Sequence, residues 1–315
     1  MQRWYITFHG GDASHAWNSI HAFDLEGRSL GNALATHTLP HHVHLREPRG
    51  FAIGPDGDLY LANAWKGASQ VIRFAGTPDA NGQHAFREVY VERHHANPGL
   101  AHPFDVTFGP EGNLYVPSQD TNIVGRYFGP NAPDGTRGQP MPHPPALRDA
   151  ASGHLLPGTF VPSHRHAPHG IHTVRRAIFG PDDDLYVADR DGACVRRYDG
   201  TTGAHRRDYR HEHLTTPVHL AFRPGDGALL AGSRDGHAVF AIDTATGAVR
   251  PLVERGAGGL RAPGGMAFGP DGKLYLCSRE TRQILRYDAM TGEPLPAPFI
   301  DGLPDYPEFI ALVDL

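Results

Sequence analysis

One eleven-residue pattern recurs along this chain, and it leaves little freedom in the choice of fold. Phe51-Ala-Ile-Gly-Pro-Asp-Gly-Asp-Leu-Tyr-Leu61 returns as Val106-Thr-Phe-Gly-Pro-Glu-Gly-Asn-Leu-Tyr-Val116. It returns again as Ala177-Ile-Phe-Gly-Pro-Asp-Asp-Asp-Leu-Tyr-Val187 and as Met266-Ala-Phe-Gly-Pro-Asp-Gly-Lys-Leu-Tyr-Leu276. A degenerate copy runs Leu220-Ala-Phe-Arg-Pro-Gly-Asp-Gly-Ala-Leu-Leu230. Each copy is a short apolar strand, a tight turn and a second apolar strand. Proline presets φ for the turn and glycine accepts positive φ, so each unit is a β-hairpin.

A third strand follows each hairpin: residues 70–74, 123–127, 195–198, 238–242 and 284–287. Thr202-Gly203, Thr246-Gly247 and Thr291-Gly292 then turn the chain towards a fourth. Four antiparallel strands repeating every 43 to 71 residues describe the blades of a propeller. Five copies are internal. The sixth is divided between the ends: Phe309–Val313 supplies the first strand, Trp4–Phe8 the second, Ser19–Phe23 the third and Ala33–Leu39 the fourth. Pairing the ends in one blade closes the ring and removes an open sheet edge. The expectation is one all-β domain over residues 1–315, a six-bladed β-propeller, with the proline-rich insertion 129–158 on the bottom face.

Bulk properties exclude several classes. No run of about 18 apolar residues is present, as a membrane helix requires, and residues 1–7 read as a strand rather than a signal peptide. A net charge of −5 speaks against a general nucleic-acid binder. Two cysteines, Cys194 and Cys277, make no disulfide framework and read as small packed residues, so a cytoplasmic location is expected.

The Leu185-Tyr-Val-Ala-Asp-Arg190 then Val195-Arg-Arg-Tyr-Asp199 rhythm resembles the NHL-repeat, gluconolactonase-like group of six-bladed propellers. That resemblance covers nearly the whole chain and is specific for fold. It implies no single activity, because the group includes gluconolactonase- and regucalcin-like enzymes, virginiamycin B lyase-like enzymes, peptidylglycine amidating lyase and non-catalytic scaffolds. Pro168-His169-Gly170 resembles the element that supplies zinc-binding histidines in amidating lyases, but occurs here once and in an extra segment before the strand. In related enzymes the second residue of each inner strand points into the central channel. Here that register gives Arg49, Phe104, Arg175, Val218, Gly264 and Glu308, which departs from the calcium-type lactonase set by retaining only Glu308.

Histidine is the second signal. Propeller topology sends seventeen of the 22 histidines to the top face; His21, His84, His143, His154 and His205 are the others. His44, His102, His169 and His219 come from four successive blades and are the candidate ligands of a divalent transition metal, zinc, iron or copper. With an open position such an ion acts as Lewis acid or water activator. His172 and Glu308 are then the candidate proton carriers, and Arg49 and Arg175 the clamp for a substrate anion. The expected function is a metal-dependent lyase or hydrolase acting on a small, anionic molecule at the top of the channel, with neither nucleic acid nor membrane as partner. Two readings compete with it: a non-catalytic scaffold with solvated histidines, and an oxidative enzyme with histidine-bound iron or copper. Arg49–Glu308 pairing between blades is the structural alternative to an anion clamp. Arg190-Asp191, Arg234-Asp235 and Arg279-Glu280 repeat at equivalent sites and read as pairs between blades.

Overall fold

A computed structural model describes residues 1–8, 17–148 and 155–315 of the chain. The five internal repeats become five blades, and a sixth joins the two ends. Blade one consists of Pro307–Asp314, Gln2–Phe8, Ile20–Phe23 and Ser29–Asn32 in spatial order. Its inner pair runs in antiparallel register from Gln2 opposite Asp314 to Thr7 opposite Phe309, and the Met1 amino group reaches the Leu315 carbonyl at 2.9 Å. Blades two, four and five carry inner strands Pro48–Ile53, Val174–Phe179 and Pro217–Phe222. The inner strand of blade three is the short Thr107–Phe108, extended by a bridge at Pro103, and that of blade six is Pro263–Phe268.

The repeated tyrosine has a local task. Tyr60, Tyr115, Tyr186 and Tyr275 each donate a hydroxyl to the acid of their own turn, Asp56, Glu111, Asp182 and Asp271, at 2.6–3.2 Å. Gly57, Gly112 and Gly272 adopt φ of 71–82° in these turns, and Asp183 accepts the same left-handed conformation where glycine is missing. Ring closure rests on packing between blades. Six buried clusters occupy the six seams. Tyr5, Phe51, Leu61 and Phe309 join blades one and two, while Trp4, Ile6, Tyr275 and Cys277 join blades six and one. Each fully buried Leu or Phe contributes roughly 1.5–3 kcal/mol, so no blade is stable without its neighbours.

Two outer edges differ from the repeat. The fourth strand of blade one ends at Asn32, and Leu34–Ala35 instead pairs in parallel with His84–Ala85 of blade two. Leu34 is fully buried in the seam there, which outweighs continuing the blade-one ladder. Blade six has three regular strands; its outer place is held by bridges at Pro294 and Ile300. Pro294, Pro296 and Pro298 lack the N–H groups that a continuous ladder needs. The insertion lies within blade three, between its third strand Ile123–Tyr127 and its outer strand Thr159–Val161; Pro140 bridges to Tyr127, and the Pro145–Arg148 turn of helix meets the Thr202 turn of blade four. Among the described residues no helix is long and apolar enough to cross a membrane.

Candidate functional site

The inner strands break register at one common place. Irregularities follow Pro48, Val174, Pro217 and Pro263. Such bulges release a residue from the ladder and re-aim its side chain, and the released positions include Arg49, Arg175, Val218 and Gly264. Contacts across blades show that this register converges on the channel. Arg49 Nη1 lies 3.0 Å from Glu308 Oε1, and the Arg49 and Arg175 guanidiniums sit 5.9 and 5.5 Å from the Phe104 ring centroid.

Arginines from the ends of the second strands join this ring. Arg279 Nε reaches the other oxygen of Glu308 at 2.9 Å. Glu308 is therefore the shared counter-ion of two guanidiniums, a structural duty beside the proton-carrying one expected of it. Of the three arginine–acid repeats, Arg279 does pair across blades, whereas Arg190 pairs with its neighbour Asp191 at 2.7 Å. The Arg234 backbone N–H donates to the Thr216 carbonyl, but its guanidinium makes no ion pair or hydrogen bond with the described residues. Arg175 gives a hydrogen bond to the Val174 carbonyl and has no carboxylate partner among them. Burial, reinforced by Arg190 and Arg49, lowers the Arg175 guanidinium to about 10. Arg234 is lowered too, by burial and then by Arg279. The mouth thus holds more buried cationic charge than its own carboxylates neutralise.

His102 stands at the edge of this ring. Its Nε2 lies 3.3 Å from Glu47, which also approaches Arg49 at 3.7 Å, and its Nδ1 lies 3.3 Å from Asp120. Glu47 and His102 each precede the proline that opens an inner-strand segment, and both have positive φ, 52° and 55°. Non-glycine residues held there store strain of about 1–3 kcal/mol, a frequent property of working sites. Burial and then Arg49 lower the His102 pKa, so the ring is neutral at pH 7 and able to take a proton.

One residue further along the inner strands lies a second polar layer. Arg176 Nε is 3.3 Å from Asp105 Oδ2, and Arg176 Nη1 is 2.7 Å from His219 Nε2. The same guanidinium lies 4.6 Å from the Phe309 ring centroid. Burial raises Asp105 to about 6 and pushes His219 well below its usual value, with Arg176 adding to the latter. Sequence reasoning found His219 but missed Asp105 and Arg176, although they follow Phe104 and Arg175 directly in the same register. Arg234 and Glu47 were missed as site residues because nothing in their spacing reveals which side chains they face: Glu47 meets His102 and Arg49.

The four histidines expected to share a metal have separate surroundings. His44 is exposed and meets the Trp65 ring edge-on at 6.0 Å. His219 is turned to a guanidinium, and His102 to two carboxylates. His169 stacks on His205, on the outer strand His205–Tyr209 of blade four, with centroids 4.4 Å apart. The loop carries it away from the inner strand, because Ser163 and Ile171 bridge and fold residues 164–170 back on themselves. Among the described residues no group of three or more His, Cys, Asp or Glu side chains is arranged to hold a metal ion. Held apart in this way, His44, His102, His169 and His219 do not fit the expected ion. His9, His15 and His154 lie outside the described residues. Cys194 and Cys277 are buried free thiols; burial raises Cys194 to about 12 and Cys277 well upward, as suits packing rather than nucleophilic attack.

Neither a protein-family model nor a curated protein sequence matches the chain. Solved structures do. Catalytically inactive virginiamycin B lyase from Staphylococcus aureus, solved with quinupristin, is 16% identical with a TM-score of 0.61, covering 98% of this chain and 92% of its own. A candidate 6-phosphogluconolactonase from Bacteroides fragilis is 16% identical with a TM-score of 0.63, covering 99% and 98%. A chain of the nidogen/laminin complex is 14% identical with a TM-score of 0.64, again covering 99% and 98%. All three share the overall fold of this chain, in keeping with the expected likeness to gluconolactonase-like and virginiamycin B lyase-like propellers. At these identities the likeness is one of fold.

Proposed function

We propose that the channel mouth binds a small organic anion, a carboxylate or phosphate, and that the protein acts on it as a lyase or hydrolase. The observation that carries this reading is the pair Arg175 and Arg234, two partly or wholly shielded guanidiniums without a carboxylate partner among the described residues. An anion placed against them supplies the missing charge and offsets both the burial and the repulsion from neighbouring arginines that depress them. Arg49 and Arg279 share Glu308 as their counter-ion, which fixes them as walls of the site; Phe104 gives Arg49 and Arg175 a flat apolar backing. His102 is the proton carrier of this scheme. Neutral at pH 7, it can accept a proton from the bound molecule or from water, and Glu47 and Asp120 then stabilise the imidazolium. Virginiamycin B lyase and lactonase-type propellers support enzymatic use of this architecture, without defining the reaction here. The small molecule would be met in the cytoplasm, in keeping with two free thiols.

Isothermal titration with phosphate, malate and citrate tests the reading. Binding is expected to weaken about tenfold, a loss of about 1.4 kcal/mol, in Arg175→Gln and in Arg234→Gln, and to fall with added salt. Wild-type protein that takes up none of these anions would defeat it. Anion binding without turnover in a screen of lactones and β-eliminating substrates would instead favour a binding scaffold.

A further inference from the structure

The two guanidiniums without a carboxylate belong to an arc of arginines on one side of the mouth. Arg190, Arg234 and Arg279 each stand one residue beyond the second strand of their blade, after Leu185–Asp189, Leu229–Ser233 and Leu274–Ser278. The same position holds Ala64 in blade two and Gln119 in blade three, after Leu59–Asn63 and Leu114–Ser118. Blades four to six therefore bring cations to a place where blades two and three bring none. Glu47, His102 and Asp120 lie on the latter side. His172, the other histidine expected to carry protons, faces Asp189 at 3.1 Å and stacks on His164 with centroids 4.2 Å apart. That leaves His102 as the proton carrier beside the arginines.

Among the described residues, the guanidiniums of Arg49, Arg175, Arg190, Arg234 and Arg279 have three carboxylates at ion-pair distance. Glu308 meets Arg49 at 3.0 Å and Arg279 at 2.9 Å, Glu47 meets Arg49 at 3.7 Å, and Asp191 meets Arg190 at 2.7 Å. Arg175 and Arg234 are left over. Asp235, next to Arg234 in the chain, is exposed and acts on it only from beyond ion-pair distance. Arg175 gives Nη1 to the Val174 carbonyl at 2.8 Å, and its Nε–Nη2 edge remains. Such an edge takes one carboxylate through two parallel hydrogen bonds. A single carboxylate therefore answers one of the two cations and leaves the other shielded from water without a counter-charge.

Resting on the anion reading of the mouth, we infer that the bound molecule is a short dicarboxylate, one carboxylate on Arg175 and the other on Arg234. Arg175 comes from the inner strand of blade four and Arg234 from the end of the second strand of blade five. The two forks thus approach from neighbouring blades and suit two carboxylates joined by a short chain. Two negative charges also match the two guanidiniums that the protein leaves unpaired. Phe104, with its ring centroid 5.5 Å from the Arg175 guanidinium, lies two residues after His102 in the chain. Its ring gives the rest of the molecule an apolar floor on the way to His102.

Succinate and its monoamide, succinamate, match in size and differ by one charge, so comparing them isolates the second carboxylate. At about pH 8 both succinate carboxyls are ionised. Isothermal titration at low salt is expected to show succinate binding at least about tenfold more tightly than succinamate. In Arg175→Gln and in Arg234→Gln, each with one free guanidinium, the two ligands are expected to bind alike. The wild-type comparison decides the matter even where a variant fails to fold. Equal wild-type affinity for succinate and succinamate would overturn the dicarboxylate while leaving an anion site. Phosphate binding as tightly as succinate would overturn it too, by showing that one compact group serves both forks. Uptake of none of the three would remove the anion reading as well.

Discussion

Glu308 and Arg49 belong to the inner strands of adjacent blades and form a 3.0 Å ion pair whose side chains are only 6% and 8% exposed. Glu308→Gln removes the carboxylate charge that two buried guanidiniums, Arg49 and Arg279, share. Urea unfolding is expected to show a loss of about 3 kcal/mol. The same variant should bind phosphate more tightly, by about tenfold, because a competing carboxylate has gone. A loss of stability with unchanged phosphate binding would show that the pair is only a seam between blades.

Asp105 and His219 flank Arg176 and should give opposite pH dependences. Asp105, raised to about 6 in the folded chain, sits near 3.9 when unfolded. Between these values the folded state holds the extra proton, so this group adds stability as pH falls from about 6 towards 4, by up to about 3 kcal/mol. His219 is depressed by burial. Its contribution is complete above its unfolded value of about 6.5 and is lost as pH falls below it, because the unfolded chain then binds the proton. Denaturation between pH 4 and pH 8 checks both. Relative to Asp105→Asn, wild type should gain stability on acidification; relative to His219→Gln it should lose it.

Gly50 leaves the space that Asp105 fills. A Cβ on Gly50 would stand 1.8 Å from Asp105 Oδ1, and the Gly50 N–H also donates to the Phe104 carbonyl at 3.1 Å. Gly50→Ala is therefore expected to destabilise by about 2–3 kcal/mol through overpacking. Thermal unfolding reads this, and a variant within about 0.5 kcal/mol of wild type would mean that Asp105 has room to move.

Native protein should resist a thiol reagent such as dithionitrobenzoate. Cys194 and Cys277 are both buried, and burial holds both thiols protonated at neutral pH. Two equivalents should react after denaturation. Rapid reaction of either thiol in folded protein would contradict the packing of Cys277 between blades six and one.

The blades were legible because turn chemistry and strand alternation are local. The Pro-Asp-Gly turns, the Leu-Tyr strands and the shared terminal blade all stand where the repeat puts them. The inner-strand register was legible too, and with it Arg49, Arg175 and Glu308. The histidines misled because a loop's path follows no period. Residues 162–172 fold back on themselves, so His169 meets His205 on an outer strand while His172 stays beside Asp189. The acids beside Arg279 and Arg176 come from other blades, so their partners depend on ring curvature rather than on spacing. Proline content did foretell one irregularity: the ladder of blade six fails where Pro294, Pro296 and Pro298 fall.

Because Gln2–Phe8 finds its inner neighbour only in Pro307–Asp314, a strand made early must wait for one about 300 residues later. Until then its backbone donors and acceptors stay open on one side while five other units accumulate beside it. A ribosome that stalls within the final blade releases a horseshoe with two sticky rims, suited to joining another incomplete copy. Quality control of this molecule therefore turns on the ring-closing strand Pro307–Asp314, however well the other blades have folded.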